Sequence, residues 1–334
     1  MTVKIFLTTV MCVIFLFVTG CEEKNENQYS GPLEKVTVAT GMFELELSGL
    51  LWLAKSKGYF QQYGLDVTIN KMPTGARALP VLQRGEIDFA AAGEFPFVKQ
   101  SSELPDLRIC ASIARYNILV LVGRKDKGIQ KIPDLKGKKV GLPMKTQLEF
   151  VLAKYLTFHG MGIQDVELKD VHNKNIREAL VKGEVDACVI LARQYPKIKT
   201  ELASNTVIWP LQKDDENFYI LASRRNLIEK RPDTVKRFLR AIHVTETFYN
   251  KNPILAVDAI SKVSNIRREM LEISLPLIRY ELALPMALLI VMEDEYRWLI
   301  ANRLIDRTKV PNFLNFFYFD ALKSVNPDRV SIIH

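Results

Sequence analysis

The sequence predicts an α/β protein of two similarly built lobes, and three observations predict it. A phrase occurs twice: Leu82-Gln83-Arg84-Gly85-Glu86-Ile87-Asp88-Phe89-Ala90, and again Leu180-Val181-Lys182-Gly183-Glu184-Val185-Asp186-Ala187-Cys188. In each copy a helical stretch ends on a basic residue, a Gly takes the C-cap where positive φ costs it nothing, and a short acidic turn launches an apolar strand. Second, strand-like and helix-like segments alternate, as βαβ units do. Third, 334 residues with 48% hydrophobic and 25% charged content suffice for two packed lobes and exclude a mainly disordered chain. Ligands in open α/β sheets bind outside the carboxyl ends of strands, which points to the stretches just after Ala92 and just after Leu191.

The start of the chain follows other rules. Lys4 precedes the apolar run Ile5 to Val18, too short to span a bilayer comfortably and suited to a signal-peptide core. Val18-Thr19-Gly20-Cys21 resembles the lipobox of bacterial lipoproteins. That resemblance implies a signal peptide over 1–20, a lipidated Cys21 and a polar tether over 21–33, on an exported protein anchored to a bacterial membrane and facing the periplasm or cell exterior. Cys12 would leave with the signal. Cys110 and Cys188 then remain, each in an apolar run of a different lobe, and read as small buried hydrophobes without a disulfide. The net charge of +8 is scattered, without the basic stripe or interleaved aromatics of a nucleic-acid binder, and mildly favours an anionic ligand or membrane surface.

In order, Val36 to Thr40 is a strand and Gly49 to Lys57 a helix with Leu50, Leu51, Leu53 and Ala54 on its core face. Gly64 to Ile69 turns into a second strand, and the loop Met72-Pro73-Thr74-Gly75 opens a helix through Leu82 that Pro80 should kink or shorten. Phe89 to Ala92 is the strand of the first repeat. Leu107 to Ser112 and Asn117 to Gly123 follow, the latter long enough to run between lobes. Val140 to Leu142 is a strand, and Thr146-Gln147-Leu148-Glu149 has capping-box spacing before a helix over Phe150 to Phe158. Val166 to Val171, a helix over Ile176 to Lys182, the second repeat and a returning strand Phe218 to Ser223 complete the second lobe. The remainder is helical: Pro232 to Tyr249, Pro253 to Val263 and Met286 to Ile305. Glu293, Asp294 and Glu295 in the last exclude a membrane span there.

Lys57-Gly58-Tyr59-Phe60 before Gly64-Leu65-Asp66-Val67, the Gly-Glu-Ile-Asp-Phe turn followed by Gly93-Glu94-Phe95-Pro96, and Asp134-Leu135-Lys136-Gly137-Lys138-Lys139-Val140 resemble solute-binding proteins of ABC importers. The branch is that for aliphatic sulfonates, taurine and nitrate, with relatives binding thiamine-precursor pyrimidines. The resemblance implies a type II periplasmic-binding-protein fold, two α/β lobes joined by two crossing strands at Asn117 to Lys127 and Asn217 to Arg224. Lobe 1 would comprise 34–120 plus 224–334, the C-terminal helices packing on it, and lobe 2 would comprise 121–223. It further implies a monomer closing over a small anionic solute and serving an ABC permease and its ATPase, with neither nucleic acid nor cofactor. Same-fold pyrimidine synthases and menaquinone-pathway enzymes are the rival class, disfavoured by the export signal and the absence of a Cys-rich iron motif.

Five loops are then expected at the cleft. Phe43 walls in or stacks on a ligand, with Glu44 and Ser48 as polar contacts. Thr74 and Gly75 present backbone N–H groups at a helix start, suited to an anion; Arg77 reads as a solvated helix charge. Gly93, Glu94 and Phe95 form the contact loop after the first repeat, and Asn117, where the first crossing begins, joins the set. Lys145, Thr146 and Gln147 stand where sulfonate binders show Gly and Ser hydroxyls, although capping alone explains Thr146. Arg193 follows Leu191-Ala192 where many relatives carry an acidic residue and Pro. Lys145 and Arg193 together suggest an anion clamp; Glu94 offers a carboxylate to an amino group. No catalytic set competes, since His159, His172, His243 and His334 show no metal-ligand spacing and there is neither a nucleophile elbow nor a P-loop.

Overall fold

The computed structural model describes residues 29–212 and 216–333. The expected signal peptide and Cys21 lie outside them. Among the described residues eleven strands form two sheets: β1 (Glu34–Gly41), β2 (Leu65–Met72), β3 (Phe89–Gly93), β4 (Leu107–Tyr116), β5 (Leu119–Arg124), β6 (Lys139–Leu142), β7 (Glu167–Asp170), β8 (Ala187–Leu191), β9 (Thr206–Pro210), β10 (Asn217–Arg224) and β11 (Ile278–Arg279). The first sheet has the order β11-β4-β10-β3-β1-β2 and the second β7-β6-β8-β5-β9. The expected type II periplasmic-binding-protein architecture is present.

The repeated phrase is a construction device in both sheets. Each copy's helix, Gly75–Arg84 or Ile176–Lys182, stops at a left-handed glycine, Gly85 at φ 84° and Gly183 at φ 76°. Each copy's aspartate then pins the neighbouring parallel strand: Asp88 Oδ2 accepts from Thr37 N within β1 at 2.8 Å, and Asp186 Oδ2 from Lys139 N at the start of β6 at 2.9 Å. The apolar strands that follow, β3 and β8, are wholly or almost wholly buried and lie in the interior of their sheets. On the far side of each lies an antiparallel strand, β10 against β3 and β5 against β8.

Those antiparallel strands correct the expected seams. Asn117 to Gly123 was expected to cross between lobes, but β5 pairs only within the second sheet and β10 only within the first. The chain changes sheet in the short stretch at Asn117 and Ile118, and returns in the segment after Pro210. Leu119 and Val120 therefore belong with the second sheet, and Asn217 to Ser223 with the first.

The C-terminal helices pack on the first sheet's side, as expected. Helix Pro232–Lys251 stacks Phe238 on Phe89 at 4.4 Å and against Phe60 at 5.0 Å. Pro80 does not shorten its helix, which runs unbroken through Arg84. The helix bond that Pro80 cannot donate would have gone to Ala76 O, and the amide of Gln100 reaches that carbonyl at 3.4 Å instead. Cys110 and Cys188 are free and buried in different sheets, with burial pushing the Cys110 thiol up to about 12.

Candidate functional site

A cleft of about 490 Å³ opens at the carboxyl ends of strands from both sheets. From the first sheet come Phe43 and Glu44 after β1, Thr74, Ala76, Arg77 and Pro80 after β2, Gly93, Phe95, Pro96, Lys99 and Gln100 after β3, and Tyr116 at the end of β4. From the second come Pro143, Lys145, Thr146, Gln147 and Leu148 after β6, with Asn173 after β7. Aromatic and proline rings wall it, and Arg77, Lys99 and Lys145 supply its positive charge.

Local geometry explains several positions. Lys145 has φ +60°, a left-handed conformation that favours glycine. Its N–H donates to Glu149 Oε2 at 2.6 Å and its carbonyl accepts from Lys99 Nζ at 2.7 Å, bonds that hold the turn. The capping box is thus displaced by one residue, Glu149 reaching Lys145 N rather than Thr146 N. Thr146 Oγ1 accepts from Leu148 N and donates to Pro143 O at 2.7 Å, so its hydroxyl serves the turn. Burial, reinforced by Lys145, lowers the Lys99 ammonium below its ordinary value.

Glu44 lines the cleft and its Oε2 accepts from Gly75 N at 3.1 Å. Gly41 makes room for that carboxylate, since a Cβ there would come within 1.8 Å of Glu44 Oε2. The amide expected to meet a ligand anion is therefore held by the chain's own carboxylate. Burial nevertheless pushes Glu44 up to about 7, against the downward pull of the Gly75 bond.

Three other expected contacts, Ser48, Asn117 and Glu94, do not reach the cleft lining. Ser48 Oγ donates to Leu45 O at 2.8 Å and accepts from Trp52 Nε1 at 3.0 Å, fully buried. Asn117 is held through its backbone, donating to Leu277 O at 3.0 Å. Glu94 is fully buried behind the lining, where its Oε1 accepts from Gln147 Nε2 at 3.0 Å and Asn217 Nδ2 at 2.6 Å. Gln147 in turn accepts from Tyr116 Oη at 3.0 Å, so one amide bridges the two halves.

Arg193 is the largest correction. Its guanidinium crosses the interlobe space to form an ion pair with Glu46 and donates to Phe43 O at 2.8 Å, lying 5.3 Å from the Phe43 ring centre. Only 12% of its side chain is exposed, against 5% for Glu46. The clamp of Lys145 with Arg193 is not formed, because Glu46, placed on the turn Leu45–Ser48, captures the guanidinium first. Burial raises Glu46 despite the attraction of Arg193.

Residues 48–256 match the family described as NMT1/THI5 like. The chain belongs to that family. A Brucella abortus (strain 2308) relative described as a binding protein is 26% identical over 230 residues, covering 66% of this chain and 69% of its own length. The formylaminopyrimidine-binding protein of Halalkalibacterium halodurans is 24% identical over 272 residues, 77% of this chain and 78% of its own. The periplasmic aliphatic sulphonate binding protein SsuA from Escherichia coli superposes with a TM-score of 0.70 at 16% identity, covering 85% of this chain and 92% of that one. That likeness concerns the fold, the two-sheet architecture of periplasmic binding proteins.

Within this NMT1/THI5-like chain, sequence reasoning missed Lys99, Gln100 and Tyr116; Arg77, read as a solvated helix charge, is exposed and also lines the cleft. A signal for the first two existed. Phe95, Pro96, Lys99 and Gln100 fall at i, i+1, i+4 and i+5 of helix Glu94–Gln100, one face of a helix whose first turn was already implicated. Ala76, Arg77 and Pro80 repeat that spacing on helix Gly75–Arg84.

Proposed function

We propose that this chain is the solute-binding receptor of an ABC importer and takes a small organic anion, an aliphatic sulfonate or taurine being the best fit. The observation that carries the reading is the meeting of Arg77, Lys99 and Lys145 in one cleft whose remaining walls are mostly rings and prolines. Cations at the rim suit a charged head group; the walls suit an apolar body. Nitrate lacks such a body and fits less well. On this reading the two lobes, split near Asn117 and again after Pro210, close over the solute as a monomer, and the protein is a receptor rather than an enzyme.

Glu44 favours a second reading, a thiamine-precursor pyrimidine, because a carboxyl group in the cleft beside Phe43 suits an aminopyrimidine edge. Likeness to a formylaminopyrimidine-binding protein supports it. Thermal unfolding in the presence of taurine, ethanesulfonate, longer alkanesulfonates, nitrate or an aminopyrimidine separates the two. A solute at a hundred times its Kd adds about 2.7 kcal/mol. An alkanesulfonate or taurine is expected to raise the midpoint, and stabilisation by the pyrimidine alone would overturn the sulfonate reading.

The lipobox-like Val18 to Cys21 supports export and anchoring beside a permease and its ATPase. Mass spectrometry of the membrane fraction is expected to find Cys21 as a diacylglyceryl N-terminus. Intact Met1 on cytosolic protein would refute it.

A further inference from the structure

Behind the cleft floor lies a pair of carboxyl groups that solute binding leaves unused. Glu94 opens helix Glu94–Gln100 and Glu295 lies on helix Met286–Ala301; both are fully buried and the two helices pack together. Their carboxyl groups are within hydrogen-bonding reach of each other. Glu94 Oε1 accepts from Gln147 and Asn217. Glu94 Oε2 and both oxygens of Glu295 receive no N–H or O–H donor among the described residues.

A buried carboxylate is an acceptor only, so two ionised ones would leave three oxygens without a donor and two negative charges side by side. One retained proton removes the second negative charge and turns one oxygen into a donor toward another, so that one of the three oxygens rather than all three is left without a partner. The charged groups around the pair do not replace it. Asp294 and the phenol of Tyr116, with Glu44 beyond it, add negative charge or none, and Lys154 on helix Gln147–Phe158 is the cation facing Glu295.

We propose that Glu94 and Glu295 share one proton and that this proton is part of the latch between the lobes. Gln147 belongs to the second half of the molecule and Glu94 to the first, and their bond depends on Glu94 staying buried where it is. When the proton leaves to water, the two carboxylates repel, Glu94 moves toward solvent, the Gln147 bond is lost and the cleft opens. Burial raises both groups from the ordinary carboxyl value of 4.5. The sign follows: the closed form holds the proton more tightly than an open, hydrated one. Closure is therefore fully favoured at or below the ordinary carboxyl range and is lost as pH rises through the raised value.

The test uses the mature chain without added solute and reads its radius of gyration by X-ray scattering from about pH 5 to about pH 9, a window that opens just above the ordinary carboxyl value and spans the value of about 7 to which Glu94 is raised. The parent is expected to expand as pH rises. Glu295→Gln supplies a permanent N–H donor to Glu94 and should stay compact throughout. Should that variant fail to fold, Glu94→Gln offers the same donor from the other side and keeps an oxygen for Gln147. A parent whose dimensions do not change with pH, or a folded glutamine variant that expands as the parent does, overturns the proposal.

Discussion

Arg193→Ala is expected to destabilise the unligated protein by about 3 kcal/mol, the lower end of what is lost when one partner of a buried ion pair is removed. The cost has three sources. Glu46 is left as a buried carboxylate with its cation gone, Phe43 O loses a donor, and the ring of Phe43 loses the guanidinium beside it. Urea unfolding reads the loss if the halves stay together; if they part instead, the radius of gyration of the unligated chain grows. A second substitution decides the cause. Adding Glu46→Gln to Arg193→Ala should recover part of the loss, because it removes the stranded charge. An Arg193 that clamps a solute behaves differently: affinity falls while the unligated protein is unchanged. That result would return Arg193 to the cleft.

The fold was legible because its signals are local. Gly85 and Gly183 announced two helix ends, and the apolar runs after them announced the interior strands of two sheets. What Asp88 and Asp186 do was not legible, since pinning a strand remote in sequence is a tertiary fact. The first crossing does begin at Asn117, but its extent and the place of the second were not legible for a related reason: apolar runs at Asn117 and Phe218 show that strands exist, not which sheet receives them. At the site, loop positions were readable and side-chain partners were not. Phe43, Glu44, Thr74, Gly93, Phe95, Lys145, Thr146 and Gln147 do line the cleft. Arg193 was misassigned because nothing within its own segment shows that Glu46, far earlier in the chain, will be waiting across the gap. Glu94 was placed in the right loop, but only three dimensions show it buried behind the cleft lining, near Glu295.

The cleft charge should reside unequally in its three cations. Lys99 is half-buried, whereas Arg77 and Lys145 are exposed, and an exposed charge is worth less than about 1 kcal/mol to a ligand because water and salt screen it. Lys99 already spends one donor on Lys145 O and keeps two. Burial, and next to it repulsion from Lys145, lower its ammonium's proton affinity. An anion seated between them relieves this, so binding should favour the charged ammonium and weaken as pH rises toward the value at which Lys99 loses its proton. With the alkanesulfonate that stabilises the parent most, Lys99→Met should lose about 1.5–3 kcal/mol of affinity, the range for a hydrogen bond to a charged group, which is tenfold or more in Kd. Arg77→Ala and Lys145→Ala should each lose less than about 1 kcal/mol, and raised salt should erase most of that difference. Titration calorimetry at two salt concentrations measures all three. Should Lys99→Met bind the sulfonate as tightly as the parent, the head group does not sit at Lys99, and Glu44 with Phe43 would mark the end of the cleft where the ligand's polar group lies.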